Sequence, residues 1–352
     1  MKSGIILLSF PFAAGVATAA LAAEPFAGAL ASSAAVAVLT VACVLKRKDC
    51  RGGLILLYYF LGAFCWCSGA LFPRPYSTPH ATVLVDALER LLDGIPFDGD
   101  HSGAVIKALL TGRRSSLPRE TVNVFRKSGA AHILALSGLH LGIIYGLLRK
   151  LLSPLGNSSP ARLLKGTLTI ALCGLYTLAT GASPSIVRAF QFICINEAGR
   201  SLSARAHSPL GTFCLALTLQ LAVRPGLISS AGFQLSYLAM LGITLLFPRL
   251  RDWYPGQGKR DPVRLLWTSA ALSVSCQAFT APVAWYHFRS VPLFFLITNL
   301  IALPLTELLM MGAVAAVLLE AMFGCPPALS CACGKAVQLL EFCLETIASL
   351  SS

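Results

Sequence analysis

Acidic residues are few in this sequence: 15 Asp and Glu stand against 28 Lys and Arg in 352 residues. Charge of either sign is sparse. Charged residues make up 12% of the chain, where roughly 25% is usual in a soluble domain. That shortage excludes an ordinary water-solvated fold. Familiar catalytic signatures are missing as well. There is no His-Glu-x-x-His, no Gly-rich loop ending in Lys-Ser or Lys-Thr and no Gly-x-Gly-x-x-Gly, which leaves no zinc-protease, nucleotide or dinucleotide motif. No Gly-x-Ser-x-Gly turn presents a serine nucleophile. The 12 cysteines lack Cys-x-x-Cys spacing, so no zinc site is expected. Six (Cys43, Cys173, Cys194, Cys214, Cys276, Cys343) stand singly in apolar segments as small hydrophobes. Cys65 and Cys67 are closer together, as are Cys325, Cys331 and Cys333. A disulfide in the second group is compatible with an oxidising compartment. Neither a metal nor a cofactor is expected.

Apolar sequence is abundant. Hydrophobic residues make up 56% of the chain and the mean hydropathy is +0.72. Apolar runs of about 15 to 23 residues recur from end to end, the mark of an all-α polytopic membrane protein. The runs at 5–22, 26–45 and 53–72 form a first group, residues 1–72. The end of the first run, Ala20 to Glu24, resembles a signal-peptidase site; a retained helix is the preferred reading. Lys46 to Arg51 is a short basic loop and sets the cytoplasmic side. From 73 to 128 charges of both signs appear with Pro and Gly. Apolar residues at helical spacing predict short amphipathic helices over 83–92, 104–110 and 120–126. Three crossings place this small helical insert outside the cell membrane.

Residues 129–352 form the remaining membrane domain. Basic clusters at Arg149, Lys150, Arg162 and Lys165, at Arg200 and Arg205, and at Arg249, Arg251, Lys259, Arg260 and Arg264 agree with alternating crossings. The stretch 291–323 is too long for one span and is read as broken or re-entrant at Pro304. Roughly ten or eleven membrane segments result. The formal charge of +13 could face nucleic acid. Cytoplasmic loops account for most of it without a special partner.

Polar residues inside apolar runs carry the functional reading. His132, Ser137 and His140 fall in one arc of a helix running to about Leu152, while Gly138, Gly142 and Gly146 form a small-residue packing ridge on another side. Around 181–188, Ser183 reads as a helix cap, Pro184 as the first helical residue, and Arg188 lies one turn inside, with Ser185 between. A helix start with a nearby cation can hold a phosphate. The alternative is that Arg188 snorkels or pairs with Glu197, Glu307 or Glu320. Ser230, Gln234, Tyr237 and Thr244 share a polar stripe, and Gly232 and Ser236 a small-residue ridge. Interhelical hydrogen bonding explains that stripe as well as a pathway does. Gln277 and Thr280 share a face before Pro282, and Asn299 precedes Pro304.

Ala131-His-Ile-Leu-Ala-Leu-Ser-Gly-Leu-His-Leu-Gly142 resembles the signature of the ComEC-type competence proteins, inner-membrane DNA-uptake channels. The stretches 108–118, Phe125 to Gly129, Gly181 to Ala189, Ser229 to Ala239 and Asn299 to Pro304 are similar to further motifs of that family, in the same order. The resemblance implies a channel passing single-stranded DNA into the cytoplasm. It also implies a periplasmic DNA receptor and a cytoplasmic ATPase or helicase as partners; a homo-oligomer in the lipid membrane stays open. The insert is shorter and more helical than the extracytoplasmic domain of the longest members. No His-x-His-x-Asp-His nuclease motif is present, so a channel rather than an enzyme is expected. Two other readings stand beside it: a transporter for a smaller anionic solute, and an intramembrane hydrolase using Ser137 and His140.

Overall fold

The computed structural model describes residues 2–22, 24–45, 51–72, 79–99, 101–134, 137–201, 208–254, 261–289, 292 and 294–350. The expected basic-loop residues Lys46, Arg47, Lys48, Arg205, Lys259 and Arg260 lie outside these, as do Ala135 and Leu136 of the central stretch. Sixteen α-helices and no strand form among the described residues. The first three, α1 (Lys2–Ala20), α2 (Pro25–Leu45) and α3 (Arg51–Leu71), follow the first three apolar runs. Then come α4 (Pro79–Asp93), α5 (Ser102–Thr111) and α6 (Arg119–Lys127), at the three amphipathic segments. The remainder are α7 (Ala131–Leu134), α8 (Gly138–Leu151), α9 (Ser159–Ala179), α10 (Pro184–Ser201), α11 (Pro209–Val223), α12 (Ala231–Leu245), α13 (Phe247–Arg251), α14 (Pro262–Phe288), α15 (Phe295–Met322) and α16 (Pro327–Leu350).

The protein is an all-α membrane protein. The helices at Pro25–Cys43, Arg51–Leu71 and Phe295–Met322 are long and apolar enough to cross a bilayer, and shorter apolar helices occur at Ile5–Ala20, Ser102–Thr111, Pro209–Val223 and Ala231–Leu245. Lipid offers no hydrogen bonds, so helices that satisfy their own backbone are the stable choice for such runs.

Helix packing sets the frame. α1 and α3 touch backbone to backbone: a Cβ on Gly15 would lie 1.9 Å from the Tyr59 carbonyl oxygen, and one on Gly62 would lie 2.1 Å from that of Phe12. Gly242 of α12 meets the Ser275 carbonyl of α14 in the same way, at 2.2 Å. On α1, Ser9 also donates to the Cys214 carbonyl at 3.1 Å, joining α1 to α11. The helices of 79–127 share one apolar core with α15 and α16: Leu92, Ile106, Leu109 and Phe125 pack with Leu309, Met310, Val337 and Leu340.

The expected break at Pro304 does not form. α15 runs unbroken through Pro304 for 28 residues, about 42 Å at helical rise, and α14 likewise continues past Pro282 to Phe288. The central stretch, read as one helix, divides instead into α7 and α8.

Candidate functional site

The division follows from the start of α8. Ser137 has extended backbone, φ −114° and ψ 166°, and its hydroxyl accepts from the Leu139 N–H at 3.2 Å. The Ser137 N–H donates to His140 Nδ1 at 3.1 Å, and Ser137 Oγ lies 2.9 Å from the same nitrogen. The first N–H groups of a helix have no internal acceptor, and this box occupies two of the donors there. Because a backbone N–H can only donate, Nδ1 accepts, and the neutral ring carries its proton on Nε2. Nε2 is buried and has no partner among the described residues. His132 sits on α7, exposed, with Nδ1 3.1 Å from the Gly129 carbonyl. The expected shared arc of His132, Ser137 and His140 is therefore corrected: Ser137 caps a new helix rather than lying on a continuing one. Hydrolase chemistry would want an orienting group at His140 Nε2; the Ser-x-x-His spacing here makes a cap.

The second motif forms a tight reversal. Gly181, with φ +80°, ends α9. Its N–H bonds the Leu178 carbonyl at 3.1 Å, and the Ala182 N–H bonds that of Thr177 at 2.9 Å. This is the Schellman arrangement, for which glycine is suited at the left-handed position. α10 then begins at Pro184, as expected, with the Ser183 carbonyl accepting from Val187 at 3.0 Å. The Ser183 hydroxyl does not cap: it is buried and bonds nothing among the described residues.

One turn on, Arg188 is 9% exposed. Its Nη1 donates to both the carbonyl and the hydroxyl of Ser236. The guanidinium carbon lies 5.8 Å from the centre of the Tyr237 ring. Tyr237 donates to Gln220 Oε1 at 2.8 Å, and Gln220 Nε2 donates to the Pro184 carbonyl at 3.1 Å. A Cβ on Gly138 would stand 3.3 Å from Arg188 Nη2 and 3.2 Å from the Ala189 Cβ. So the starts of α8 and α10 meet the middle of α12, and three motifs far apart in sequence converge on one cation.

No carboxylate pairs with Arg188 among the described residues. Glu197, one expected partner, is held elsewhere: Arg149 and Arg200 each reach it at 3.3 Å, and Tyr145 donates to it at 2.7 Å. Glu320 accepts from the Cys325 N–H at 2.7 Å, and Glu307 forms no ion pair among the described residues. A buried cation held only by dipoles and a ring face keeps its full charge available to an anion.

Other expected site residues are placed apart. Ser230 caps α12, accepting from Phe233 at 3.2 Å. Gln234 donates to the Ile228 carbonyl at 2.8 Å and meets His287 Nε2 at 2.8 Å. Asn299 Oδ1 is buried without a partner among the described residues. Gln277 is half-buried on α14, and Ser185 half-buried on the first turn of α10. Of the expected packing glycines, Gly138 alone lies against another helix; Gly142, Gly146 and Gly232 have nothing within 4 Å of a built Cβ. Ser236 serves as the acceptor for Arg188 rather than as a ridge.

Sequence reasoning missed Gln220 and the Tyr145–Glu197 pair. A carboxylate inside an apolar run was the available signal for the latter; nothing marked Gln220. Beside Gln220 a cavity of about 90 Å3 opens, lined also by Gln191, Pro184, Arg224 and Leu227. That is room for about three waters. Gln191 Oε1 is buried without a partner among the described residues. No cluster of three or more His, Cys, Asp or Glu able to hold a metal occurs among the described residues.

A family model described as "Competence protein" matches residues 109–352. The chain is 30% identical over 219 residues to ComE operon protein 3 of Bacillus subtilis, a match covering 62% of this chain and 26% of the relative. It is 26% identical over 214 residues to Recombination protein 2 of Haemophilus influenzae, covering 58% of this chain and 26% of that one. An uncharacterized protein of Aquifex aeolicus is 29% identical over 234 residues, 65% of this chain and 51% of its own length. The chain thus spans about a quarter to a half of these relatives. No solved structure matches.

Proposed function

The chain belongs to the competence protein family, and from that premise we propose that it is a DNA-uptake channel passing single-stranded DNA across the cytoplasmic membrane. The observation that carries this reading is Arg188, a buried guanidinium with no carboxylate partner among the described residues, at the meeting point of three family-like motifs. A phosphodiester passing this point supplies the missing negative charge, one residue at a time, without a fixed counter-ion to displace. Gly138, with no side chain, lets α8 pack directly against the guanidinium. Asn299, His140 and Ser183 add unpaired polar atoms that water or a polar strand can satisfy. The channel is multi-pass, with 1–72 as N-terminal helices, 73–128 on the outer side and 129–352 as the channel core. A periplasmic DNA receptor delivers the strand and a cytoplasmic ATPase or helicase pulls it. The other proposed lining residues are His132, Ser137, Ser185, Ser230, Gln234, Tyr237 and Gln277.

The test is uptake of labelled DNA into the cytoplasm of competent cells lacking this gene, complemented with wild type or Arg188→Ala at matched membrane levels. The expected result is loss of uptake on deletion, rescued by wild type and not by Arg188→Ala. If Arg188→Ala rescues fully, the channel stands and Arg188 is structural. If uptake persists without the gene and without a second copy, the DNA reading is wrong. A transporter of a small anion, using the same cation and the small cavity beside Gln220, would then take its place.

A further inference from the structure

Helix α6 buries one face and exposes the other. Phe125 is fully buried, and Val122 and Val124 pack against the same core. Arg119, Asn123, Arg126 and Lys127 are exposed, and all fall within roughly 100° of helix arc. Arg119 and Arg126 make no hydrogen bond or ion pair among the described residues. Cations of α5 and the loop after it differ in this respect: Lys107 pairs with Asp93, and Arg113 with Asp86 at 2.7 Å and Glu89 at 3.0 Å. Glu120 is the one acidic residue of α6, and it lies toward the edge of the basic arc. The loop before α6 adds an exposed Arg114 and the hydroxyls of Ser115 and Ser116. Arg114 Nε donates to the Leu134 carbonyl at 3.2 Å. That bond fixes the basic face beside Leu134, the last residue of α7.

We propose that Arg114 and the exposed face of α6 form a phosphate-binding collar that receives single-stranded DNA beside the end of α7; this rests on the channel reading above. Arg119 and Arg126 are seven residues apart, about 10 Å along the helix, or about three nucleotide rises of a stacked strand. Nucleic acid is favoured over anionic lipid by where the apolar residues go. A helix that binds a bilayer surface must offer it an apolar face, and here Val122, Val124 and Phe125 are taken up by the protein core.

The test uses the whole protein in phosphatidylcholine nanodiscs and a fluorescent single-stranded oligothymidylate, with affinity measured against salt. Each phosphate that the protein no longer neutralises lowers the slope of log K on log salt by about 0.7. Arg119→Gln with Arg126→Gln is therefore expected to flatten the slope by about 1.4, and Arg119→Lys with Arg126→Lys to keep it. An unchanged slope in the glutamine variant overturns the collar while leaving channel function to the uptake experiment. Wild type that binds no oligonucleotide at any salt overturns the collar, and loss of uptake on gene deletion would still uphold the channel. If the glutamine variant keeps its oligonucleotide affinity but loses thermal stabilisation by phosphatidylglycerol, the face is a lipid surface and the proposal falls.

Discussion

The contact between α1 and α3 gives a sharp test of which glycines hold this protein together. Gly62→Ala puts a methyl 2.1 Å from the Phe12 carbonyl oxygen. A carbon and a carbonyl oxygen rest no closer than about 3.3 Å. The helices must therefore part by about 1.2 Å at that level, against a carbonyl fixed in its own helix. Overpacking of this kind costs about 1–3 kcal/mol. Gly15→Ala faces the same separation from the other side, at 1.9 Å from Tyr59. One parting of the helices relieves both clashes, so the double variant should lose less than the two single losses added. Gly142→Ala is the contrast, since nothing lies within 4 Å of a Cβ there. It should be neutral or gain up to about 1 kcal/mol from helix propensity. The assay is unfolding of detergent-solubilised protein by heat or by graded denaturing detergent. If Gly62→Ala matches wild type, or if Gly142→Ala is the more damaging of the two, the packing argument is refuted.

Tyr237→Phe keeps the ring beneath Arg188 but leaves Gln220 Oε1 without its donor; a loss of about 1–3 kcal/mol is expected by the same unfolding assay. Ser137→Ala removes the cap of α8 and should cost about 0.5–2 kcal/mol. DNA uptake should then fall only as far as the amount of folded protein falls, whereas abolished activity at wild-type protein levels would favour a serine nucleophile. In the loop before α14, the Tyr254 hydroxyl donates to Asp261 at 2.7 Å, and Asp261 accepts the Val263 N–H at 2.9 Å. The Tyr254 bond foremost holds the Asp261 carboxyl below its ordinary range. Its contribution is present above the unfolded pKa and is lost as pH falls through the lower folded one. Asp261→Asn should reduce the loss of stability between neutral and acid pH, as followed by melting temperature against pH.

The helices were legible because their length and apolarity are imposed by the bilayer, and the amphipathic segments before Lys127 because their apolar residues recur at helical spacing. Pro184 marked a helix start for the local reason that its missing N–H costs nothing there. Partners were not legible. Gly138, Gly142 and Gly146 have the same spacing, yet one alone has a neighbour, because spacing describes a face and says nothing of what covers it. Gly15 and Gly62 belong to no repeat and still make the closest contacts. The alternative reading of Arg188 gave it a carboxylate, but its acceptors are a hydroxyl and a backbone carbonyl 48 residues away. The face assigned to His132, Ser137 and His140 assumed an unbroken helix, and a serine cap interrupted it.

Two fastenings between α8 and α10 lie at different levels. Gly138 rests against Arg188 and Ala189 near the two helix starts. Further along, Tyr145 and Arg149 of α8 grip Glu197 of α10. The levels are about 13 Å apart along the axes, and both helices run in the same direction between them. Like two boards bolted twice, this pair can neither scissor nor slide without breaking a buried contact. It therefore moves as a single splint. On the channel reading, any widening that lets a strand past Arg188 comes from the opposite wall, where α12 holds the guanidinium by Ser236 and the face of the Tyr237 ring.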